Sequence, residues 1–306
     1  MPAPLLLLCL VVVLVLLVPG GCDPVVLQDG RPYSNAELLW EDVPVADSGA
    51  VTSVSVAALP VGEKIFLHYV KRLVTDDEAA RMIRACDDRS GWGKSPIKRE
   101  ASVTVEGGSV LDTEKKRTSS SCPLVWPTMY RALESNPDAY GEKGASILDE
   151  FNLALSVSRR VARLFKVDES LIEPLQLVRY AKGEHYKLHH DHGGYYGFES
   201  EKRPYTLLIF LNNVPPSDGG GHTAFPTLAT KILPQLGDAI LWANVAQDQG
   251  GSEGEGEGDV PLLPDAVHEA VGIEKDGTLK FVANVWLGES EMAIKADLIA
   301  RSRRGA

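Results

Sequence analysis

Lys280-Phe281-Val282-Ala283-Asn284-Val285-Trp286-Leu287 (KFVANVWL) is the stretch whose reading decides the fold. Side chains of an extended chain alternate between two faces. Phe281, Ala283, Val285 and Leu287 make one face wholly apolar, while Lys280, Val282, Asn284 and Trp286 share the other. The apolar face belongs against a core. The other face carries an ammonium, which is either buried and in need of an anion or sits at a wet edge; the strand alone leaves both open. Upstream, residues 175–180, 206–212 and 239–242 are similar β-rich runs, split by Gly, Pro, Asn and Asp. Such runs are the signature of a β-sandwich or barrel. Before them, residues 147–165 place Ile147, Phe151, Ala154, Leu155, Val161, Ala162 and Phe165 at three- and four-residue spacing, which predicts one long helix with a buried stripe. Thr75-Asp76-Asp77-Glu78 has the form of a capping box and predicts a second helix through about Ala85. Helices first and strands afterwards predict an α+β fold: an antiparallel jelly roll, or double-stranded β-helix, supported by N-terminal helices.

Toward the N-terminus, residues 64–69 (KIFLHY) read as a short strand, and residues 90–123 as loops or edge strands. Residues 23–60 show no sustained periodicity and read as an N-terminal arm. Residues 5–18 form an unbroken apolar run followed by Pro19, Gly20 and Gly21. It is shorter than the roughly 20 apolar residues of a bilayer span and fits the core of a signal peptide, with an uncleaved membrane anchor or a buried helix as the alternatives. Either of the first two readings sends the chain into the secretory pathway. The expected organisation is a leader at 1–22, an arm at 23–60, a catalytic domain at 61–290 and a tail at 291–306. Of the four cysteines, Cys86 and Cys122 belong to the folded body. In an oxidising lumen they form one disulfide or stay as two buried thiols. The net charge of −11 argues against nucleic acid as a partner, because phosphate binding needs a basic face. Part of that charge lies in the Gly/Glu run 251–259, which reads as a solvated loop.

Four of the seven histidines crowd into residues 184–193 (EHYKLHHDHG). On an extended segment His189 and Asp191 share one face, and His190 and His192 share the other. A histidine and a carboxylate two residues apart, joined by a distant histidine, make the facial triad of non-haem Fe(II) oxygenases, which leaves coordination positions open. The rival pair His190 and His192 lacks a carboxylate and suits zinc or copper. A His-x-Asp also occurs by chance in polar loops. Downstream only His222 and His268 remain as distant partners.

From Thr118 onward the chain resembles the catalytic domain of the prolyl 4-hydroxylases, the procollagen-proline dioxygenase-like family. Arg117-Thr118-Ser119-Ser120-Ser121 is similar to that family's Arg-Thr-Ser-Ser-Gly. Leu175 to Tyr180, followed by Tyr186-Lys187-Leu188-His189-His190-Asp191, is similar to its Leu-Gln-x-x-x-Tyr and Tyr-x-Pro-His-x-Asp. Gly220-Gly221-His222-Thr223-Ala224-Phe225-Pro226, Gly237-Asp238-Ala239 and the Lys280 to Trp286 strand also correspond, so the resemblance covers roughly residues 62–290. It implies Fe(II) on His189, Asp191 and His268. It implies 2-oxoglutarate on Lys280, Thr223 and Tyr180, with dioxygen as the other cosubstrate and ascorbate as a reductant. It implies a proline-containing polypeptide held by Tyr186, Arg203 and Trp286, and 4-hydroxyproline, succinate and carbon dioxide as products. The compartment implied is the endoplasmic reticulum lumen, with membrane contact only through an uncleaved leader. Three departures stand out: Gly288 where the family carries a histidine, Leu188 where it carries proline, and two extra residues between His268 and Lys280. Hydroxylation of another protein or a small molecule, and a non-catalytic jelly-roll binding module, are the alternatives.

Overall fold

The structure is a computed structural model and describes residues 26–28, 31–32, 38–45, 50–59, 61, 67–88, 91–95, 116–124, 133, 135–141, 143–192, 203–246 and 262–288. The leader, the Gly/Glu run 251–259 and the tail 291–306 lie outside the described residues, as do the first residues of the strand expected at 64–69. In chain order the elements are β1 (Val26–Gln28), β2 (Arg31–Pro32), β3 (Glu41–Pro44), β4 (Ser53–Ala58), β5 (Leu67–Lys71), α1 (Asp76–Asp88), β6 (Gly93–Lys94) and β7 (Ser120–Pro123). They continue with α2 (Lys143–Phe165), β8 (Gln176–Tyr180), β9 (Tyr186–His189), β10 (Tyr205–Phe210) and β11 (Thr223–Phe225). The last four are β12 (Thr230–Ile232), β13 (Ala239–Ala243), β14 (His268–Ala270) and β15 (Lys280–Leu287). Among the described residues no helix is long and apolar enough to cross a membrane.

Two antiparallel sheets result. The larger runs β3-β4-β5-β13-β10-β15-β8-β7-β6 and the smaller β2-β1-β12-β11-β14-β9. Period-two alternation decides what each face of the larger sheet meets. Leu207 and Ile209 of β10, Ala239 and Leu241 of β13, and Ala283, Val285 and Leu287 of β15 pack into a core that includes Met82 and Cys86 of α1 and Leu153, Val157 and Val161 of α2. Their neighbours Leu208, Phe210, Ile240, Trp242 and Val282 face the other way, into a second core shared with Phe225 and Ile232 of the smaller sheet. The fold is therefore a jelly roll with a helical layer on the outer face of its larger sheet, the α+β double-stranded β-helix that the sequence predicts.

The capping box forms as the sequence predicts. The Thr75 amide donates to Glu78 Oε2 at 2.8 Å, and the Glu78 amide donates to Thr75 Oγ1 at 3.1 Å. Glu78 also takes a two-pronged ion pair from Arg160 of α2, at 2.7 and 3.0 Å, which locks the two helices together. Cys86 at the end of α1 is bonded to Cys122 in β7, so the disulfide alternative is the one the structure adopts. The region read as an arm does more than expected: β3 and β4 extend the larger sheet beyond β5, and β1 pairs with β12 of the smaller one.

Two glycine motifs find a steric reason. Gly220 has φ of +67°, and a Cβ there would collide with the backbone of Gly272. Gly237 has φ of +84° and leaves no room before the Val74 carbonyl. The turn that absorbs the longer spacing between His268 and Lys280 is made at Gly277, with φ of +80°.

Candidate metal centre and its cavity

β9 and β14 are neighbours in the smaller sheet, and their register sets His189 directly opposite His268. β9 ends at His189, so Asp191 lies just past the strand rather than on it. His189 Nε2 stands 3.4 Å from Asp191 Oδ1, and His268 Nε2 stands 3.8 Å from Asp191 Oδ2. One ligand atom from each of the three lies within 4.8 Å of the others, and this is the only such group among the described residues. The rival pair His190 and His192 has its rings 6.1 Å apart and gains no third ligand among the described residues, although both line the same cavity.

The protonation chemistry fits a divalent cation. His189 Nδ1 lies 2.9 Å from the Lys187 carbonyl, and His268 Nδ1 lies 2.9 Å from the Ala266 carbonyl. A carbonyl only accepts, so each Nδ1 carries the proton and each Nε2 turns its lone pair toward the partner ligands. Burial keeps both rings neutral: it pulls His268 down to about 4 and lowers His189 as well. Burial alone would push the Asp191 carboxyl up, but His268, His189 and the Trp286 indole outweigh it and hold the carboxyl well below the usual range. Two neutral imidazoles and one carboxylate converging on a point are the donor set that a non-haem Fe(II) site needs.

The cavity beside the triad is lined from both sheets. Tyr180, Lys280, Asn284 and Trp286 come from the larger sheet, and Thr223 and Ala270 from the smaller. Lys280 is 1% exposed and settles the choice that its strand left open. Its Nζ lies 3.4 Å from Thr223 Oγ1 and 5.5 Å from the centre of the Tyr180 ring, and register places Lys280 opposite Tyr180. Among the described residues no carboxylate acts on it, and burial pulls its ammonium down to about 7. An unpaired buried ammonium is costly and invites an anion. His222 does not join the triad; burial with the Lys231 and Lys280 charges pulls it down to about 4.

Tyr186 and Trp286 flank the triad. The Tyr186 ring stacks on His189 with centres 3.5 Å apart, and Trp286 Nε1 donates to Asp191 Oδ2 at 3.2 Å. Arg203 lies over Trp286 at 3.8 Å, with two of its donors committed to Glu173 at 2.6 and 2.7 Å. Arg117 lies over Tyr186 at 4.6 Å. Arg117, Gln176 and Asn284 also line the cavity, and sequence reasoning assigns none of them a role there, although the motif that carries Arg117 is visible. Asn284 was findable, since it shares the alternating face of Lys280 and Trp286 and lies across from Gln176 in register.

Comparison with known proteins fits this geometry. Residues 175–288 match the model of the 2OG-Fe(II) oxygenase superfamily. That stretch is similar to 2OG-Fe(II) oxygenase domains, and the triad, Thr223 and Lys280 all lie within it. The curated relatives that the chain resembles are prolyl 4-hydroxylases. It is 28% identical over 178 residues to the transmembrane prolyl 4-hydroxylase of Mus musculus, covering 43% of this chain and 33% of the relative. It is also 28% identical over 146 residues to prolyl 4-hydroxylase subunit alpha-1 of Caenorhabditis elegans, covering 46% and 23%. The match thus spans a third or less of these relatives' length. Among solved structures, a viral collagen prolyl hydroxylase from Paramecium Bursaria Chlorella virus-1, in complex with 2OG, superposes with a TM-score of 0.47 at 17% identity, over 74% of this chain and 96% of that one. A Trichoplax adhaerens prolyl hydroxylase, in complex with a hypoxia inducible factor peptide fragment, superposes with a TM-score of 0.44 at 13% identity, over 75% and 86%.

Proposed function

We propose that the protein hydroxylates peptidyl-proline, forming 4-hydroxyproline and releasing succinate and carbon dioxide, on polypeptides of the secretory pathway. The observation that carries this reading is the pairing of a His-Asp-His triad with a buried, unpaired Lys280 in one cavity. A dicarboxylate fits both, with its 2-oxo acid end at the triad and its far carboxylate at Lys280.

Bound iron supplies the activation of dioxygen and the oxidation of the cosubstrate, with ascorbate as the implied reductant. The chain supplies the rest. His189, Asp191 and His268 would hold the metal on one side and leave positions free on the other. Lys280 would meet the cosubstrate carboxylate with a charge-assisted hydrogen bond, while Thr223 and the Tyr180 hydroxyl fix its direction. The apolar walls Leu208, Val282 and Trp242 keep water from the reacting centre. Trp286 offers a proline ring the aromatic face that Arg203 leaves open, Tyr186 lines the cavity between His189 and Arg117, and Arg203, held by Glu173, borders the same pocket. Gly288 stands where the family pattern carries a histidine, so this chain offers no imidazole at that position.

Two independent features support an oxidising compartment. The Cys86–Cys122 bond needs an oxidising environment, and the apolar run at 5–18 would direct the chain there. We place the catalytic domain in the endoplasmic reticulum lumen, free after cleavage or held by the leader.

Turnover of 2-oxoglutarate by the iron-loaded protein, measured against a panel of proline-rich peptides with mass spectrometry of the products, tests this reading. One added oxygen on proline, coupled to succinate, is the expected result. Succinate without oxidised proline would keep the oxygenase and discard the substrate.

A further inference from the structure

The carboxylate of Asp191 ends a chain of hydrogen bonds whose direction is fixed at every link. Trp242 Nε1 donates to Asn244 Oδ1 at 3.0 Å. An indole can only donate, so this contact fixes which end of the Asn244 amide is oxygen. The Asn244 Nδ2 group then donates to Thr206 Oγ1 at 2.9 Å and to the Arg203 carbonyl at 3.0 Å. With its oxygen accepting from Asn244, the Thr206 hydroxyl spends its own hydrogen on Asp191 Oδ2, 3.1 Å away. A second donor-only group, Trp286 Nε1, reaches the same oxygen at 3.2 Å. Asn244 and Thr206 are fully buried, at 0% exposure each, so no water competes for these contacts.

Building on the metal-centre reading, we infer that Trp242, Asn244 and Thr206 form a one-way relay that saturates Asp191 Oδ2. It leaves Oδ1, the oxygen nearer His189, as the single atom offered to the metal. A carboxylate with both oxygens free could chelate through two atoms and consume a coordination position that the cosubstrates need. Thr206 and Asn244 act through Asp191 and are positioning residues. Thr206 sits on β10 and Asn244 just past the end of β13, apart from any ligand, which explains why their part is set by register and not by a motif.

The test is binding of Co(II) to the metal-free full chain, read from the visible absorption of the bound ion, in wild type, Thr206→Val, Thr206→Ser and Asn244→Asp. Loss of an outer-shell partner typically weakens metal binding about 10- to 100-fold, and Thr206→Val is expected in that range with an altered Co(II) spectrum. Thr206→Ser keeps the hydroxyl and restores both affinity and spectrum. Asn244→Asp conserves size but offers only acceptors, so it draws the Thr206 hydrogen away from Asp191 and weakens binding as Thr206→Val does. Melting of the metal-free variants is followed alongside: Thr206→Val and Thr206→Ser differ in Co(II) affinity beyond any difference in melting. Wild-type affinity and spectrum in both Thr206→Val and Asn244→Asp would overturn the relay while leaving the metal centre intact. Absence of Co(II) binding by wild type would instead overturn the metal-centre reading, and the relay with it. If Thr206→Val fails to fold, the comparison of Asn244→Asp with wild type decides.

Discussion

Burial controls the charge of individual side chains in this site, and that control can be measured. In the unfolded chain His189 and His268 titrate near the ordinary 6.5, whereas folding lowers both and takes His268 to about 4. Between those values the unfolded chain binds protons that the native protein refuses, so the metal-free protein loses stability as pH falls through that window. Asp191 acts in the opposite sense, and its contribution is lost only well below its ordinary 3.8. Thermal melts of metal-free protein between about pH 7 and pH 4 should therefore fall with acidity, and His268→Gln should flatten the slope. A wild-type melting point constant across that window would contradict buried neutral rings. Lys280 gives a second handle. With its ammonium pulled to about 7, most of the empty sites have lost that proton at pH 8, and 2-oxoglutarate should draw it back. Anaerobic calorimetry of the metal-loaded protein in buffers of different ionisation enthalpy should show uptake approaching about one proton per cosubstrate. Lys280→Met should abolish the uptake and weaken 2-oxoglutarate binding by about 1.5–3 kcal/mol, roughly 10- to 150-fold.

Among the elements, the helical layer and the sheet edge depend on a few ties. Glu78 serves two helices at once, as the capping partner of Thr75 and as the ion-pair partner of buried Arg160. Glu78→Ala leaves Arg160 charged and unpartnered at that carboxylate, a loss of about 3–5 kcal/mol that chemical denaturation would read out. The disulfide ties α1 to β7 across a separation of 36 residues. Its reduction, or Cys86→Ser, should cost on the order of 3–4 kcal/mol in the chain-entropy view, seen as a drop in melting temperature with reductant. What could be read in advance followed the same logic of contact. β15 was legible to the residue because both of its faces are committed, one to the helices and one to the cavity. The capping box was legible because its partners are three residues apart. β3 was not: it lies at the sheet edge and exposes most of its residues, so no apolar alternation marks it. β4 buries only Val54 and Ala57, which do not keep a period of two, and the arm therefore looked unstructured. The triad was legible as far as the His-x-Asp and the family motifs reached, whereas the Asn244 and Thr206 contacts depend on which residues face each other across β10 and β13.

In the molecule as a whole, the metal centre stands where the two sheets meet. Its histidines come from the smaller sheet, while the donors that hold Asp191, Thr206 and Trp286, come from the larger. A metal that binds only this arrangement stabilises the native state by about 2.7 kcal/mol at a hundredfold excess over its Kd. Added Co(II) should raise the melting temperature of wild type and leave His268→Ala unchanged, and an equal rise in both would place the ion elsewhere. The cavity between the sheets also occupies space that a sandwich ordinarily fills with its own side chains. Tyr180, Val282 and Trp242 belong both to the inner core and to the cavity wall. A cosubstrate bound there would be interior matter, a detachable piece of the core that the proposed reaction consumes and replaces. Each such cycle would briefly hollow the molecule, and the empty state would be the one more open to heat and proteases.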